Sequence, residues 1–135
     1  MKKVTVIDGQ GGRLGALLTE AIKAAGLPCE LLAVGTNTIA ATAMLKAGAD
    51  AAATGENPVV VACRDSDVIL GPVGILCADA LLGEITPKMA QAIGASKAEK
   101  LLVPVNRCGI RVIGVRTQSM ADAVNEAVAA LRTLL

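Results

Sequence analysis

The chain has 135 residues with nearly balanced charge, 13 basic against 12 acidic side chains for a net +1. That is long enough for one domain with a full core, and it offers no electrostatic grip on nucleic acid or on an anionic membrane. Hydrophobic residues make up 53% of the chain, yet Phe, Tyr, Trp and His are absent, which excludes base-stacking platforms, aromatic cages, serine–histidine or cysteine–histidine catalysis and histidine-ligated metal sites.

Strand-like and helix-like patterns alternate along the chain, with no visible linker or repeat. Met1-Lys2-Lys3 leads into a first strand over residues 4–7. That run is too short for the apolar part of a signal peptide, and nothing approaches membrane-spanning length, so the expected location is the cytoplasm. The strand passes directly into Asp8-Gly9-Gln10-Gly11-Gly12-Arg13-Leu14-Gly15. A helix over 14–25 follows, with Leu14, Leu17, Leu18, Ala21 and Ile22 at helical spacing and Gly26 ending it.

The second strand is expected over 30–34, a helix over 38–47 closed by Gly48, and a short third strand over 51–53. Asn57 then reads as an N-cap with Pro58 at the first helical position, although Val59-Val60-Val61 also suits a strand. A fourth strand is expected over 68–70 and helix-like apolar spacing over 75–82. Thr86-Pro87 reads as the cap and first turn of a helix ending near Gly94.

The fifth strand is expected over 101–105. Asn106-Arg107-Cys108-Gly109 reads as a tight turn into a sixth strand over 110–115. So short a turn cannot make a parallel crossover, which places the sixth strand antiparallel at the sheet edge. A last helix spans about 119–134. The expected fold class is α/β, a single three-layer Rossmann-like domain over 1–135, its sheet mainly parallel with an antiparallel edge strand.

In such a sheet, ligands bind beyond the carboxyl ends of the strands. A buried strand turning through glycines into a helix aims bare backbone N–H groups at whatever lies above. Gly9, Gln10, Gly11, Gly12, Arg13 and Leu14 are therefore the candidate contacts for a phosphate. Gly35-Thr36-Asn37 follow the second strand, and Gly71-Pro72-Val73 follow the fourth, as further contacts to a ligand in one shared crevice. A Val at Gly12 is expected to block the ligand and leave the fold intact.

The dinucleotide fingerprint G-x-G-x-x-G is met only partly. Counting back from Gly15 and Gly12, the first position is Gln10; from Gly9 and Gly11 the spacing is one residue too long. Leu14-Gly15-Ala16 stands where a P-loop needs Lys and Ser or Thr. The acid that usually ends the second strand and holds a ribose diol is absent. NAD or NADP is nonetheless the first ligand expected for this turn, because Gly12-Arg13-Leu14-Gly15 resembles the second half of the motif in nicotinamide-dependent dehydrogenases.

Asp8 reads as a cap for the turn. Glu56, Asp79 and Glu84 supply acids, but no spacing pairs any two of them for acid–base work, and no catalytic residue is assigned. Of the four cysteines, Cys29, Cys63 and Cys77 read as core residues. Cys108 reads as a turn residue whose thiolate Arg107 would favour. None stands in C-x-x-C spacing, which argues against a zinc cluster.

The stretches Ile7-Asp8-Gly9-Gln10-Gly11-Gly12, Gly35-Thr36-Asn37, Ala53-Thr54-Gly55-Glu56-Asn57, Gly71-Pro72-Val73-Gly74, Gly83-Glu84-Ile85-Thr86-Pro87 and Val103-Pro104-Val105-Asn106-Arg107-Cys108 cover nearly the whole chain. Together they resemble a small bacterial family classified as a domain of unknown function. The resemblance implies a Rossmann-like fold and no particular activity. The functional expectation is a protein that holds a nucleotide, dinucleotide or other phosphate-bearing small molecule, with a ligand-sensing or structural module as the alternative. Apolar content and the edge hairpin predict a homo-oligomer, such as a dimer joined through sheet or helix contacts.

Overall fold

Lys2–Asp8 forms the central strand, β1, and its residues Val4, Val6 and Ile7 are fully buried. A strand buried on both faces belongs in the middle of a parallel sheet covered by helices on both sides. The computed structural model, which describes residues 1–105, 109–116 and 118–135, places it there. Five parallel strands take the order β3-β2-β1-β4-β5, with β2 at Cys29–Gly35, β3 at Ala51–Thr54, β4 at Val68–Pro72 and β5 at Glu99–Val103. This is the doubly wound order of a Rossmann-like sheet. Val4 lies between Leu31 of β2 and Val68 of β4.

The alternation of side chains along the strands builds two cores. Val4, Val6, Leu31, Ala33, Val68 and Leu70 pack beneath helices α1 (Arg13–Ala24), α2 (Thr38–Lys46) and α5 (Met120–Arg132). Ile7, Val34 and Ile69 face α3 (Glu56–Asp65) and α4 (Pro87–Ala95) on the opposite side. In α1 the buried stripe is Leu14, Leu18 and Ile22, one residue per turn. Each such fully buried aliphatic side chain contributes roughly 1.5–3 kcal/mol of transfer free energy, which is how a core without aromatics is made. Among the described residues no helix is long and apolar enough to cross a membrane.

Three expected elements come out differently. Residues 59–61 are helix, because α3 begins at Glu56 behind Gly55, whose φ of 109° only glycine adopts easily. Gly55, not Asn57, is therefore the cap, and Pro58 falls inside the first turn. Residues 75–82 do not form one helix. A short 3-10 helix, Val73–Leu76, ends in a series of turns in which Asp79, Leu81 and Leu82 all have positive φ. Ile75, Leu81 and Ile85 still bury their side chains there, so the apolar content of the segment serves packing without helical periodicity.

The antiparallel sixth strand is absent, and the described sheet is parallel throughout. Pro104 follows β5 and has no N–H to lend a ladder. Gly114, at φ 88°, turns the chain before the end of the expected strand. Ile113 is 86% exposed there, although β propensity expresses fit to a half-buried surface. Asn106, Arg107 and Cys108, and with them the expected turn, lie outside the described residues. The starts of α2, α4 and α5 carry side-chain caps at Asn37, Thr86 and Ser119.

Candidate functional site

The sheet reverses its winding between β1 and β4, the place beyond the strand ends where sheets of this class hold their ligands. Two glycines let the chain reach it. A Cβ on Gly71, near the end of β4, would stand 2.4 Å from the Ile7 carbonyl oxygen. A Cβ on Gly35, which ends β2, would stand 2.4 Å from the Ala41 amide nitrogen. Both glycines are demanded by backbone packing. Pro72 is buried at the end of β4, and Val73 opens the 3-10 helix.

The turn after β1 is held from inside by Asp8. This residue is only 6% exposed, and its carboxylate accepts from the amides of Gly9 at 2.8 Å and Gly15 at 2.7 Å. Gly15 is the third residue of α1, so Asp8 does what an N-cap side chain does, from seven residues away. Burial pushes the Asp8 carboxyl up. The Gly15 and Gly9 amides pull it down, and the negative charge of Glu84 adds to the rise. The capping role expected of Asp8 is thus the one it fills.

Gly12 is the backbone N-cap of α1, with φ 71° and its amide donating to the Gly9 carbonyl at 2.9 Å. A Cβ added there would lie 2.7 Å from the Cα of Ala40. Gly12 faces α2, not open crevice, and the expectation that valine here spares the fold is overturned. Gly15 lets α1 approach both β1 and α2 closely, since a Cβ would meet Met44 Sδ at 2.5 Å and Asp8 Cβ at 2.8 Å. Leu14 turns its side chain into the core and leaves only its backbone to the site.

Gly11 differs from its neighbours. It is exposed, its φ is not left-handed, and nothing lies within 4 Å of a Cβ placed on it. Among the described residues, no hydrogen bond of the turn uses the amides of Gly11, Arg13 or Leu14. Arg13 is exposed at the first position of α1. These groups form the open half of the turn.

The other half is closed by a residue that the sequence left unpaired. Glu84 Oε1 accepts from the Gln10 amide at 2.8 Å, the Thr36 hydroxyl at 2.5 Å and the Asn37 side-chain amide at 2.8 Å. Asn37 also donates to the Gln10 carbonyl at 3.0 Å while its Oδ1 caps α2 through Ala40. Leu81 closes over Gly9, whose added Cβ would meet Thr36 Oγ1 at 2.6 Å and Leu81 Cδ1 at 2.8 Å. Burial works against the charged form of Glu84, but the bonds from Thr36, Gln10 and Asn37 together hold its carboxyl below the ordinary range. The structure therefore brings Gly9, Gln10, Thr36 and Asn37 to one carboxylate. Gln10 and Glu84 are 74 residues apart, so no local spacing announces the pairing.

Three cavities lie away from this turn. Two, of about 350 and 570 Å³, run along Val73, Val103 and Pro104 to Ala123 of α5. A third, of about 390 Å³, lies between α3 and β2–β3, lined by Leu32, Ala53 and Val61. Val73 is the one expected contact residue that lines any of them. Of the other acids, Glu56 accepts from the Thr86 hydroxyl at 2.5 Å.

A family model described as a domain of unknown function (DUF3842) matches residues 3–135. No curated protein matches the chain. Among solved structures, it is similar to a dodecameric FMN-dependent Ubix-like decarboxylase from Escherichia coli O157:H7, with 21% identity over 99% of this chain and 76% of that one, at a TM-score of 0.48. It is also similar to a probable oxidoreductase from Mycobacterium abscessus, with 23% identity and a TM-score of 0.48, covering 98% of this chain and 42% of that one.

Proposed function

The chain belongs to the DUF3842 family, whose description names no activity, and we propose from the site itself that it binds a nucleotide or dinucleotide by its phosphates. NAD or NADP is the first candidate. The observation that carries this reading is the open half of the glycine turn. The amides of Gly11, Arg13 and Leu14 sit at the positive end of α1, beside an exposed arginine, at the switch point of a Rossmann-like sheet. The positions of Gly9, Gln10, Thr36 and Asn37 around the same crevice support it.

A dye-based thermal-shift panel of NAD(H), NADP(H), ATP, flavins, coenzyme A and inorganic phosphate tests the reading. A ligand at 100 times its dissociation constant stabilises by about 2.7 kcal/mol, a shift of several degrees for a domain of this size. Gly11→Val is the blocking variant, because its side chain enters open space above the turn without touching the fold. The expected result is an unchanged unliganded melting temperature and no ligand shift. A full shift in folded Gly11→Val sinks the proposed site.

A second reading, a homo-oligomeric sensing or structural module, is favoured by one observation. Ile110, Val112, Ile113 and Val115 leave apolar side chains in solvent along one segment, with Ile113 86% exposed. Light scattering with and without NAD⁺ separates the cases. A ligand-dependent change in mass supports sensing, and a monomer under both conditions removes this reading.

A further inference from the structure

We propose that Glu84 is an internal stand-in for the ligand's anionic group, so that the strap of residues 77–86 which carries it must withdraw when an anionic group of the ligand takes the donors of Gln10, Thr36 and Asn37. The inference rests on the proposed binding function and adds a built-in competitor to it. Three donors of different kinds, a backbone amide, a hydroxyl and a carboxamide, come from two separate loops and meet at one carboxylate oxygen. Such convergence is how proteins hold an anionic oxygen. Here the oxygen comes from the chain itself.

The strap is hydrogen-bonded within itself. Its internal bonds join Asp79 to Ile85, Gly83 to Asp79, Glu84 to Leu81 and Ile85 to Ala80. Ile75, just before the strap, and Ile85, near its end, are fully buried, and Ala80 and Leu81 are buried between them. Between them Leu81 covers Gly9 and Leu82 is 95% exposed. Asp79, Leu81 and Leu82 hold left-handed backbone that an opened strap is free to relax.

A phosphate arriving at the closed crevice finds Gln10, Thr36 and Asn37 already used and meets the charges of Glu84 and Asp8. The same three donors become available when Glu84 withdraws, and the nearer of the two repelling charges leaves with it. An anion on these three donors and strap closure are therefore mutually exclusive. Ligand affinity is then reduced by the fraction of molecules whose strap stands open.

The test is the affinity of wild type, Glu84→Ala and Glu84→Gln for NAD⁺ and for inorganic phosphate, together with amide hydrogen exchange. For an open state populated at 10% or less, Glu84→Ala should bind about tenfold or more tightly than wild type. Adding NAD⁺ to wild type should speed exchange across residues 79–86 while Gln10 stays protected. Equal or weaker binding by both variants, or a strap more protected with NAD⁺ than without it, overturns the stand-in and leaves the binding function in place. If no form binds either probe, the proposed function itself falls. The wild-type exchange measurement decides the question even if the variants fold poorly.

Discussion

Gly12→Val should cost the protein about 2–5 kcal/mol of stability instead of merely silencing a binding turn. Two effects add. Gly12 has φ 71°, and left-handed backbone costs an L-residue roughly 1–2 kcal/mol, with β-branched side chains the worst case. The new Cβ would also lie 2.7 Å from the Cα and 3.0 Å from the carbonyl oxygen of Ala40. That neighbour is helix backbone and cannot swing aside, and forced overpacking of this kind costs about 1–3 kcal/mol. Against a total of about 5–15 kcal/mol, the loss brings the domain close to unfolding at moderate temperature. Urea denaturation followed by far-ultraviolet circular dichroism checks it, since the chain has no aromatic residue to fluoresce. Gly11→Val, one residue away, should keep the wild-type midpoint. A wild-type midpoint for Gly12→Val would mean that α2 does not press on the turn as the structure has it.

The contrast between these neighbouring glycines shows what could be read from the sequence. Strand, glycine turn and helix were visible because each has local chemistry: a short apolar run, residues that permit a turn, and a helical stripe. The five parallel strands and the cap at Thr86 follow from such signals. Which glycine faces the crevice and which faces α2 does not, because that depends on where Ala40 lands after β2 has paired with β1. The segment 75–82 departs from its helical pattern for a related reason. Its apolar residues are buried by a sequence of turns, and composition alone cannot separate that from a helix. The sixth strand had β-branched residues but lacked a partner, because Pro104 and Gly114 interrupt the ladder on both sides.

The acid at the crevice is the clearest case of information that only topology supplies. A dinucleotide site usually carries a ribose-binding acid at the end of β2, where this chain has Gly35, Thr36 and Asn37 instead. The carboxylate at that place comes from beyond β4, because β1 lies between β2 and β4 in the sheet. Once the strand order is known, the loops after β1, β2 and β4 must meet. The acid in the third loop then becomes a partner for the first two.

Asp8→Ala is the other substitution with a large expected effect, about 2–4 kcal/mol. It deprives two buried amides, those of Gly9 and Gly15, of their acceptor, and an unsatisfied buried donor costs about 1–3 kcal/mol. The start of α1 also loses a negative charge near its positive end. Removing a carboxylate whose charged form is disfavoured by burial offsets part of this. The pH dependence identifies the cause. The folded-state pKa of Asp8 is raised above 3.8. The folded protein therefore holds that proton more tightly than the unfolded chain does. The resulting stability is full below the unfolded value and is lost as pH rises through the folded one. The gap between wild type and Asp8→Ala should accordingly be widest below pH 3.8 and narrow above it. Glu84, held below its ordinary 4.5, works in the opposite direction, but it is present in both proteins and largely cancels from the difference. A gap that widened with rising pH would mean that the turn favours ionised Asp8 more than burial penalises it. The carboxylate would then belong to the electrostatics of the crevice as much as to the capping of α1.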